Sequence, residues 1–201
     1  MVDLNNYHNS NLILTRESAL DSNGITSTWP VLNPEVLAFK VMHDLSFYQI
    51  AAWPDSMKSV SNTLAKLIGV DLAPMPRQIV FGEHASLLLV EPLKYWVIGG
   101  NYEPFVFDAD QAATLNLSHS RTHIRLSGVQ ASALLNRHLS LDLRESSFTV
   151  GTAAATELHH VGVTLWRSNS GFELLLPRAF ARSLCELLIE SAAQFNSAYK
   201  D

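Results

Sequence analysis

The sequence is poor in the residues that build disulfides, membrane spans and nucleic-acid surfaces. Its 201 residues include one cysteine, so no disulfide can form within the chain, as is usual for proteins of a reducing cytoplasm. Lys and Arg number 14 against 19 Asp and Glu, a formal net charge of −5. Phosphate binding needs a surplus of cations on one face, so nucleic acid is excluded as the expected partner. No apolar run approaches the roughly 20 residues of a membrane span.

Motifs that hold nucleotides, activate serine or bind zinc are also missing. No GxGxxG or GxxxxGK[ST] turn occurs, and GxSxG, CxxC and HExxH are all absent. Cys185 lies in an apolar stretch, so we expect a small buried hydrophobic side chain there. The polar N-terminus lacks the cationic start of a signal peptide. These absences predict a soluble, cytoplasmic chain. The spacing of its residues matches no known catalytic motif among those considered.

The strongest pattern lies in residues 117–143, LSHSRTHIRLSGVQASALLNRHLSLDL. Polar and apolar residues alternate up to Leu126, as in a half-buried strand. After Gly128 the apolar spacing becomes that of an amphipathic helix, predicted over residues 129–139. The segment therefore predicts a strand, a tight corner and a helix with one core-facing side.

The same order of elements occurs earlier in the chain. A predicted strand over residues 47–53 precedes a helix over 56–68, with Asp55 as its N-cap and Leu67 on its apolar face. Asp142 corresponds to Asp71, at an offset of 142 − 71 = 71. The simplest interpretation is an internal duplication of a long unit that occurs twice.

The duplication predicts the fold class and the domain organisation. We expect an α+β fold of two tandem strand–helix–strands–helix modules, with helices on one face of antiparallel sheets. The predicted divisions are an N-terminal arm (1–40), a first half-module (41–115) and a second half-module (116–201) of one compact domain.

Local periodicity and helix breakers predict the remaining elements. Further strands are predicted at residues 78–81, 85–91, 95–98, 148–150, 156–159, 161–167 and 172–176. A short helix is predicted at 108–114, and a final one after Pro177 with Phe180 on its apolar face.

Histidine is the remaining candidate for chemistry. His119 and His123 have the H-x3-H spacing, but in a strand they would lie about 13 Å apart and could not share a metal ion. His159 and His160 are expected in a strand, on opposite faces. A metal- or anion-binding module built on His119, His123 and His159 is one alternative.

The cationic stripe of the central strand has two interpretations. Arg121, His123 and Arg125 fit an ordinary solvated sheet face, or a ridge that meets an acidic partner or an anionic ligand. For a partner interface we predict five residues of unusual exposure for their type, namely Trp29, Trp53, Arg121, His123 and Arg125.

The C-terminal part of the chain, from about residue 117 onward, resembles the gamma subunits of heterotetrameric sarcosine oxidase. The similar features are SHSR before the strand, the RLSG corner and the LDL exit. FTVGTAAATELHHVGVTLW and the FELLLPRAFA entry to the last helix complete them. LKYWVIG, at residues 93–99, is a fainter match in the first half. No single motif is strong, but their order is specific.

The resemblance implies a fold, a role and a set of partners. The fold would be that of the folate-dependent aminomethyltransferases, whose tandem halves agree with the duplication. The role would be that of a non-catalytic gamma subunit in a complex that oxidatively demethylates sarcosine to glycine, with H2O2 and 5,10-methylenetetrahydrofolate as further products. FAD, FMN, NAD, zinc and tetrahydrofolate would be held by the alpha, beta and delta subunits, and none by this chain.

Two other functions stay open at this point. Gamma-type chains also serve related demethylases of N-methylglutamate or betaine. A stand-alone tetrahydrofolate-binding protein of the aminomethyltransferase type is the second, although the chain is short for that role and lacks the K-G-C-Y-type loop of iron–sulfur maintenance relatives.

Overall fold

The computed structural model describes residues 18–20, 33–100 and 107–197, with side chains to residue 195. Most of the predicted arm, including Trp29, lies outside these ranges. The elements in chain order are β1 (Ala38–Met42), β2 (Phe47–Ala52), α1 (Met57–Ile68), β3 (Ile79–Phe81), β4 (Ala85–Glu91), β5 (Lys94–Gly99), β6 (Ala112–Asn116), β7 (Arg121–Ser127), α2 (Ala131–Asn136), β8 (Ala153–Leu158), β9 (Val161–Ser168), β10 (Gly171–Pro177) and α3 (Ala181–Ser197).

The strands form two antiparallel sheets of five strands each. The order in the first, sheet A, is β1-β7-β10-β9-β8, and in the second, sheet B, it is β3-β4-β5-β2-β6. The α+β prediction with two tandem modules is confirmed. No helix in the described ranges has the length and apolar character needed to cross a bilayer.

Each sheet buries one face under helices and the other against its neighbour. Val60, Leu64 and Ile68 of α1 pack with β2, β4 and β5 of sheet B. Helices α2 and α3 cover sheet A in the largest apolar cluster, which also contains Leu20 and Cys185. A third cluster, with Phe47 and Ile98 of sheet B and residues of sheet A, lies between the sheets. The layers thus run helix, sheet, sheet, helix.

The two modules exchange their leading strands. The first four elements of the first module begin at positions 38, 47, 57 and 79, and those of the second begin at 112, 121, 131 and 153, a constant offset of 112 − 38 = 74. The offset predicted from the two aspartates was close to this value. Strand β1, which leads the first module, pairs with β7 of the second, and β6, which leads the second, pairs with β2 of the first. Each sheet therefore contains one strand from the other module.

Three predicted elements differ from the structure. Residues predicted as a helix at 108–114 turn at Asp108 and then enter strand β6, which is held by pairing to β2. The residues predicted as a strand at 148–150 lead instead from one turn into the next, which is closed by the Thr152 N–H to Thr149 carbonyl bond of 2.9 Å. His159 and His160 form the two-residue turn between β8 and β9, with φ of 49° and 65°, and do not lie in a strand.

The helix ends also depart from the predictions. Ser56, not Asp55, occupies the N-cap of α1, and its hydroxyl bonds to backbone around it instead of capping the helix. Helix α2 covers six residues and not the predicted 129–139, because residues 129–130 and 137–138 form turns. Leu67 and Phe180, assigned to apolar faces, are 46% and 50% exposed.

Candidate functional site

The inner face of sheet A carries charged side chains where it meets sheet B. Alternate residues of β7 are buried, so Thr122, Ile124 and Leu126 face the helices and the cationic stripe faces the other sheet. The strand period was therefore predicted correctly from the sequence. The stripe lies between the two sheets, so it is not the ordinary solvated sheet face that was one of its two interpretations.

Glu173 of β10 binds the stripe from the neighbouring strand. Register places Glu173 beside Arg125 on one side and Trp166 on the other. Its Oε1 accepts hydrogen bonds from Arg125 Nε at 2.6 Å and Ser168 Oγ at 2.8 Å, and its Oε2 lies 2.8 Å from His123 Nε2. The Glu173 side chain is 3% exposed, against 12% for His123. We call these four residues, Glu173, Arg125, His123 and Ser168, the Glu173 network.

The Glu173 network holds its carboxylate in the charged form. Burial alone raises the pKa of Glu173, but the hydrogen bond and charge of His123, with the Ser168 and Arg125 bonds, outweigh it and keep the pKa below its ordinary value. A general acid or base works best with a pKa near the operating pH. An ionised carboxylate with both oxygens occupied suits a structural ion cluster better than proton transfer.

A cavity of about 430 Å³ with a mixed polar and apolar lining lies over the network. Its wall includes the connection from β1 to β2, the turn before β4, and the side chains of His123 and Arg125. At this floor, Arg125 donates a hydrogen bond from its Nε to the Glu173 carboxylate. The cavity can admit small polar molecules, and the network forms its floor.

A larger cavity, about 620 Å³, lies near the start of β5 and is mainly apolar. Leu88 and Val90 of β4 and Trp96 of β5 face Ala153 and Ala155 of β8 across it. We call this cavity the apolar groove. Arg77 stands at one end, and its φ of 64° is rare for a residue with a side chain.

The structure brings together some predicted interface residues and separates others. His123 and Arg125 share the Glu173 network, and the Arg121 guanidinium lies 6.0 Å from the ring centre of Trp96. Burial lowers the pKa of Arg121. Trp53 is 47% exposed at the corner between β2 and α1, where its indole donates to the Ala109 carbonyl at 2.9 Å. Trp29 lies outside the described residues. Their role at an interface stays a prediction.

Glu173 is the residue that sequence reasoning missed. It interrupts an apolar run as the only charged residue of FELLL, in a strand that β7 and β9 flank. An isolated carboxylate in such a run needs a buried partner, and this signal could have found it. The partner strand lies far away in sequence and could not be assigned without the sheet order.

The histidine-based alternative gains no support from the geometry. His119 lies in the turn before β7, His123 is bound to Glu173, and His159 and His160 occupy a hairpin turn. Among the described residues, no group of three His, Cys, Asp or Glu side chains is placed to hold a metal ion.

The sequence has relatives among the sarcosine oxidase gamma subunits. It is 29% identical to the gamma subunit from Corynebacterium sp. strain U-96 over 143 residues, 67% of this chain and 70% of the relative. The gamma subunits from Corynebacterium sp. strain P-1 and an Arthrobacter species are 34% and 33% identical over 84 residues, 41% of each chain. No family model matches the sequence.

Solved structures show the same fold. A chain of the heterotetrameric sarcosine oxidase from Corynebacterium sp. U-96, in complex with pyrrole 2-carboxylate, superposes with a TM-score of 0.76 at 20% identity, covering 90% of this chain and 96% of that one. The glycine cleavage system aminomethyltransferase T from Bartonella henselae gives 0.58 at 16% identity, over 77% of this chain and 45% of its own. The expected resemblance is confirmed: the chain is similar in sequence to the sarcosine oxidase gamma subunits and has the aminomethyltransferase fold.

Proposed function

We propose that this chain is the non-catalytic gamma subunit of a heterotetrameric sarcosine oxidase. The observation that carries the proposal is the similarity to three named gamma subunits, which extends over 67% of the chain for the relative from strain U-96. The fold likeness to a chain of the heterotetramer, over 96% of that chain, is consistent with it. The subunit would support oxidative demethylation of sarcosine, which yields glycine and H2O2, and 5,10-methylenetetrahydrofolate when tetrahydrofolate accepts the one-carbon unit.

The partners and cofactors follow from the same proposal. Alpha, beta and delta subunits would surround the chain and hold FAD, FMN, NAD, zinc and tetrahydrofolate. The Glu173 network supports a scaffolding role, because its carboxylate is fully engaged by three neighbours of the same chain. A cytoplasmic location for the complex stays a prediction.

The substrate of the complex is proposed as sarcosine and not as a larger N-methylated amine. The three named relatives are sarcosine oxidase subunits, and no comparison favours an N-methylglutamate or betaine demethylase. Steady-state oxidation by the assembled complex, measured with sarcosine, N-methylglutamate and betaine, distinguishes these substrates. A preference for N-methylglutamate would contradict the proposal.

Part of the surface is proposed to contact partners. Trp53 is the best candidate among the five predicted residues, because nearly half of its side chain is exposed. Arg121, His123 and Arg125 could meet a partner only at the edges of the inter-sheet cavities, since their charges are largely enclosed.

Assembly is the decisive test. The full chain, tagged and expressed with the other subunits, should purify as a stoichiometric complex with oxidase activity. Expressed alone, it should show no turnover of sarcosine and no binding of tetrahydrofolate by calorimetry. Tight tetrahydrofolate binding by the lone chain would instead support the stand-alone aminomethyltransferase-like alternative. Failure to join the complex would refute the subunit proposal.

A further inference from the structure

Among the described residues, strand β8 is an open edge of sheet A, because its pairing with the other sheet stops after one bridge. Gln78 and Thr152 form an isolated antiparallel bridge, flanked by bonds of 2.9 Å from Ile79 N to the Gly151 carbonyl and from Ala153 N to the Arg77 carbonyl. The chain turns immediately before the bridge, since the Gln78 N–H bonds to the Met75 carbonyl at 3.0 Å and Arg77 has a φ of 64°. The pairing therefore ends there, and β8 continues to Leu158 as the last strand of its sheet.

The open part of this edge has little of the usual protection against added strands, since residues 153–158 include one charged residue, Glu157, and no lysine or proline. Ala153 directs its N–H away from β9, so Ala155 and Glu157, two and four residues further, direct theirs the same way. Natural edges are blunted by lysine, proline, bulges or very short strands. The neighbouring edge, β3, is three residues long, whereas β8 has six residues that start with three alanines.

The apolar groove lies directly beside the open edge. Leu88, Val90 and Trp96 form the wall opposite Ala153 and Ala155, whose short side chains leave the space unfilled. Met75, immediately before Pro76, is 65% exposed. A chain that paired with β8 would direct alternate side chains into this groove.

Charge marks the two ends of the edge. Arg77, opposite Ala153, has no ion-pair partner among the described residues, and neither has Glu157, about 13 Å further along β8. The Glu91 carboxylate at the groove is already paired with Lys94 at 2.7 Å. An occupant with a carboxylate at one end and a cation at the other would match this pattern in one direction only.

We propose that an extended, mainly apolar segment of a partner subunit pairs with β8 and fills the apolar groove, with an acidic group against Arg77 and a basic group against Glu157. This inference rests on the proposed function and deepens it by assigning a docking surface. Main-chain bonds to Ala155 and Glu157 would supply affinity, and the groove would select the side chains.

Amide exchange in the assembled complex tests the proposal on the unmodified protein. The N–H groups of Ala155 and Glu157 should exchange rapidly in the chain alone and at least about tenfold more slowly in the complex, as newly formed backbone hydrogen bonds require. The N–H groups of Ala154 and Thr156, which face β9, serve as internal controls and should be slow in both states. Hydrogen–deuterium exchange with residue-level fragmentation measures all four.

Variants test the same surface through affinity. Ala155→Pro removes one outward donor without touching the β9 ladder, a position where edge strands accept proline. It should weaken binding to the purified remainder of the complex about tenfold. Ala155→Ser, which keeps the N–H, should bind as the wild type. Arg77→Glu should also weaken binding, whereas Lys58→Glu, an equal charge change on exposed α1, should not.

The outcomes separate this inference from the proposed function. Normal assembly with unchanged exchange at Ala155 and Glu157 would overturn the docking surface and leave the subunit role intact. A wild-type chain that joins no complex would refute the subunit role itself. Slow exchange of the Ala155 and Glu157 amides in the free chain would also overturn the inference. If ultracentrifugation shows a monomer, residues of the same chain cover the edge; if it shows a dimer, a second copy covers it. If Ala155→Pro fails to fold, the binding affinity of Arg77→Glu and the amide exchange of the wild-type chain still test the docking surface.

Discussion

Glu173 joins three strands of sheet A through hydrogen bonds to residues on both neighbours. It is 3% exposed and neutralises Arg125, which is 25% exposed, in the space between the sheets. Two unpaired charges in such a place would be costly, whereas a satisfied cluster can be tolerated. The residue therefore determines whether a polar layer can exist beside the inter-sheet apolar cluster.

Replacing Glu173 by glutamine should destabilise the fold by about 3 kcal/mol, since it leaves a partly buried arginine without its counter-charge. Urea unfolding followed by circular dichroism measures the loss. Glu186→Gln, which breaks an exposed pair with Arg182 on α3, is the matched control and should cost at most about 0.5 kcal/mol. Equal effects of the two changes would contradict the structural role of the network.

The same network predicts how stability depends on pH. The pKa of Glu173 is lower in the folded chain than the ordinary glutamate value of about 4.3, so its contribution is fully present above that value. It is lost as the pH falls through the lower folded pKa. Unfolding free energy measured from pH 6 to pH 3 should fall more steeply for the wild type than for Glu173→Gln. Parallel curves would show that Glu173 titrates normally.

Sequence reasoning at this scale found the stripe of β7 but not its counter-charge. The alternation of Arg121, His123 and Arg125 is local and therefore visible in the sequence. The pairing with Glu173 depends on β10 lying next to β7, which is a property of the sheet order. Solvated and enclosed faces give the same alternation, so the pattern alone could not distinguish them.

At the scale of elements, the β8–β9 hairpin carries two adjacent histidines in left-handed conformations. Two-residue hairpin turns with positive φ at both positions favour Asn-Gly. The double change His159→Asn, His160→Gly should therefore stabilise the chain by about 1 kcal/mol, seen as a higher thermal midpoint. Ser170→Gly in the β9–β10 turn, where Ser170 has no positive φ, is the control and should give no gain. A lower midpoint for the double variant would mean that the histidines have other contacts.

Strand β10 begins at a glycine that its neighbour requires. A Cβ on Gly171 would lie 2.4 Å from the Leu126 carbonyl oxygen, and φ is 135°, whereas Gly162 in β9 has open space around it. Gly171→Ala should cost about 3 kcal/mol in unfolding free energy, from overpacking and backbone strain together. Gly162→Ala should change it by less than about 0.5 kcal/mol. Similar losses for both would mean that β10 can shift away from β7.

Element types were predicted correctly where the hydrophobic pattern was long. The predictions were wrong where pairing with a distant strand determined the structure. The period of residues 120–126 and of α1 is sustained, and both elements were predicted. Residues 108–114 have no strong period, and pairing of β6 with β2 makes a strand of what local preference suggested was helical. Turns at 148–150 and 159–160 lie within apolar surroundings that resemble strand in the sequence.

At the scale of the whole molecule, the exchanged leading strands bind the two modules into one folding unit. Separate fragments ending and beginning between β5 and β6 would each retain a leading strand whose partner is on the other fragment. Expressed alone, each should be largely unfolded by circular dichroism. Expressed together, with a tag on one, they should purify as a folded pair. A fragment that folds alone as a stable monomer would contradict this mutual dependence.

The duplication was predictable from sequence, but the exchange was not. Repeated motifs such as the strand–corner–helix order reveal that two modules exist, and the spacing between corresponding elements can be estimated from them. Which strand pairs with which depends on contacts between modules, and nothing local in Ala38–Met42 or Ala112–Asn116 specifies the partner. The predicted boundaries at residues 40 and 115 fall within these two strands.

Each exchange uses a crossing segment of the same length. Four residues, 43–46, carry the chain from sheet A to sheet B, and four, 117–120, carry it back. Four residues extend over roughly 14 Å at most, and face-to-face sheets lie about 10 Å apart. The two crossing segments therefore act as short tethers that limit how far the sheets can separate. Their reach limits the width of the openings between the sheets.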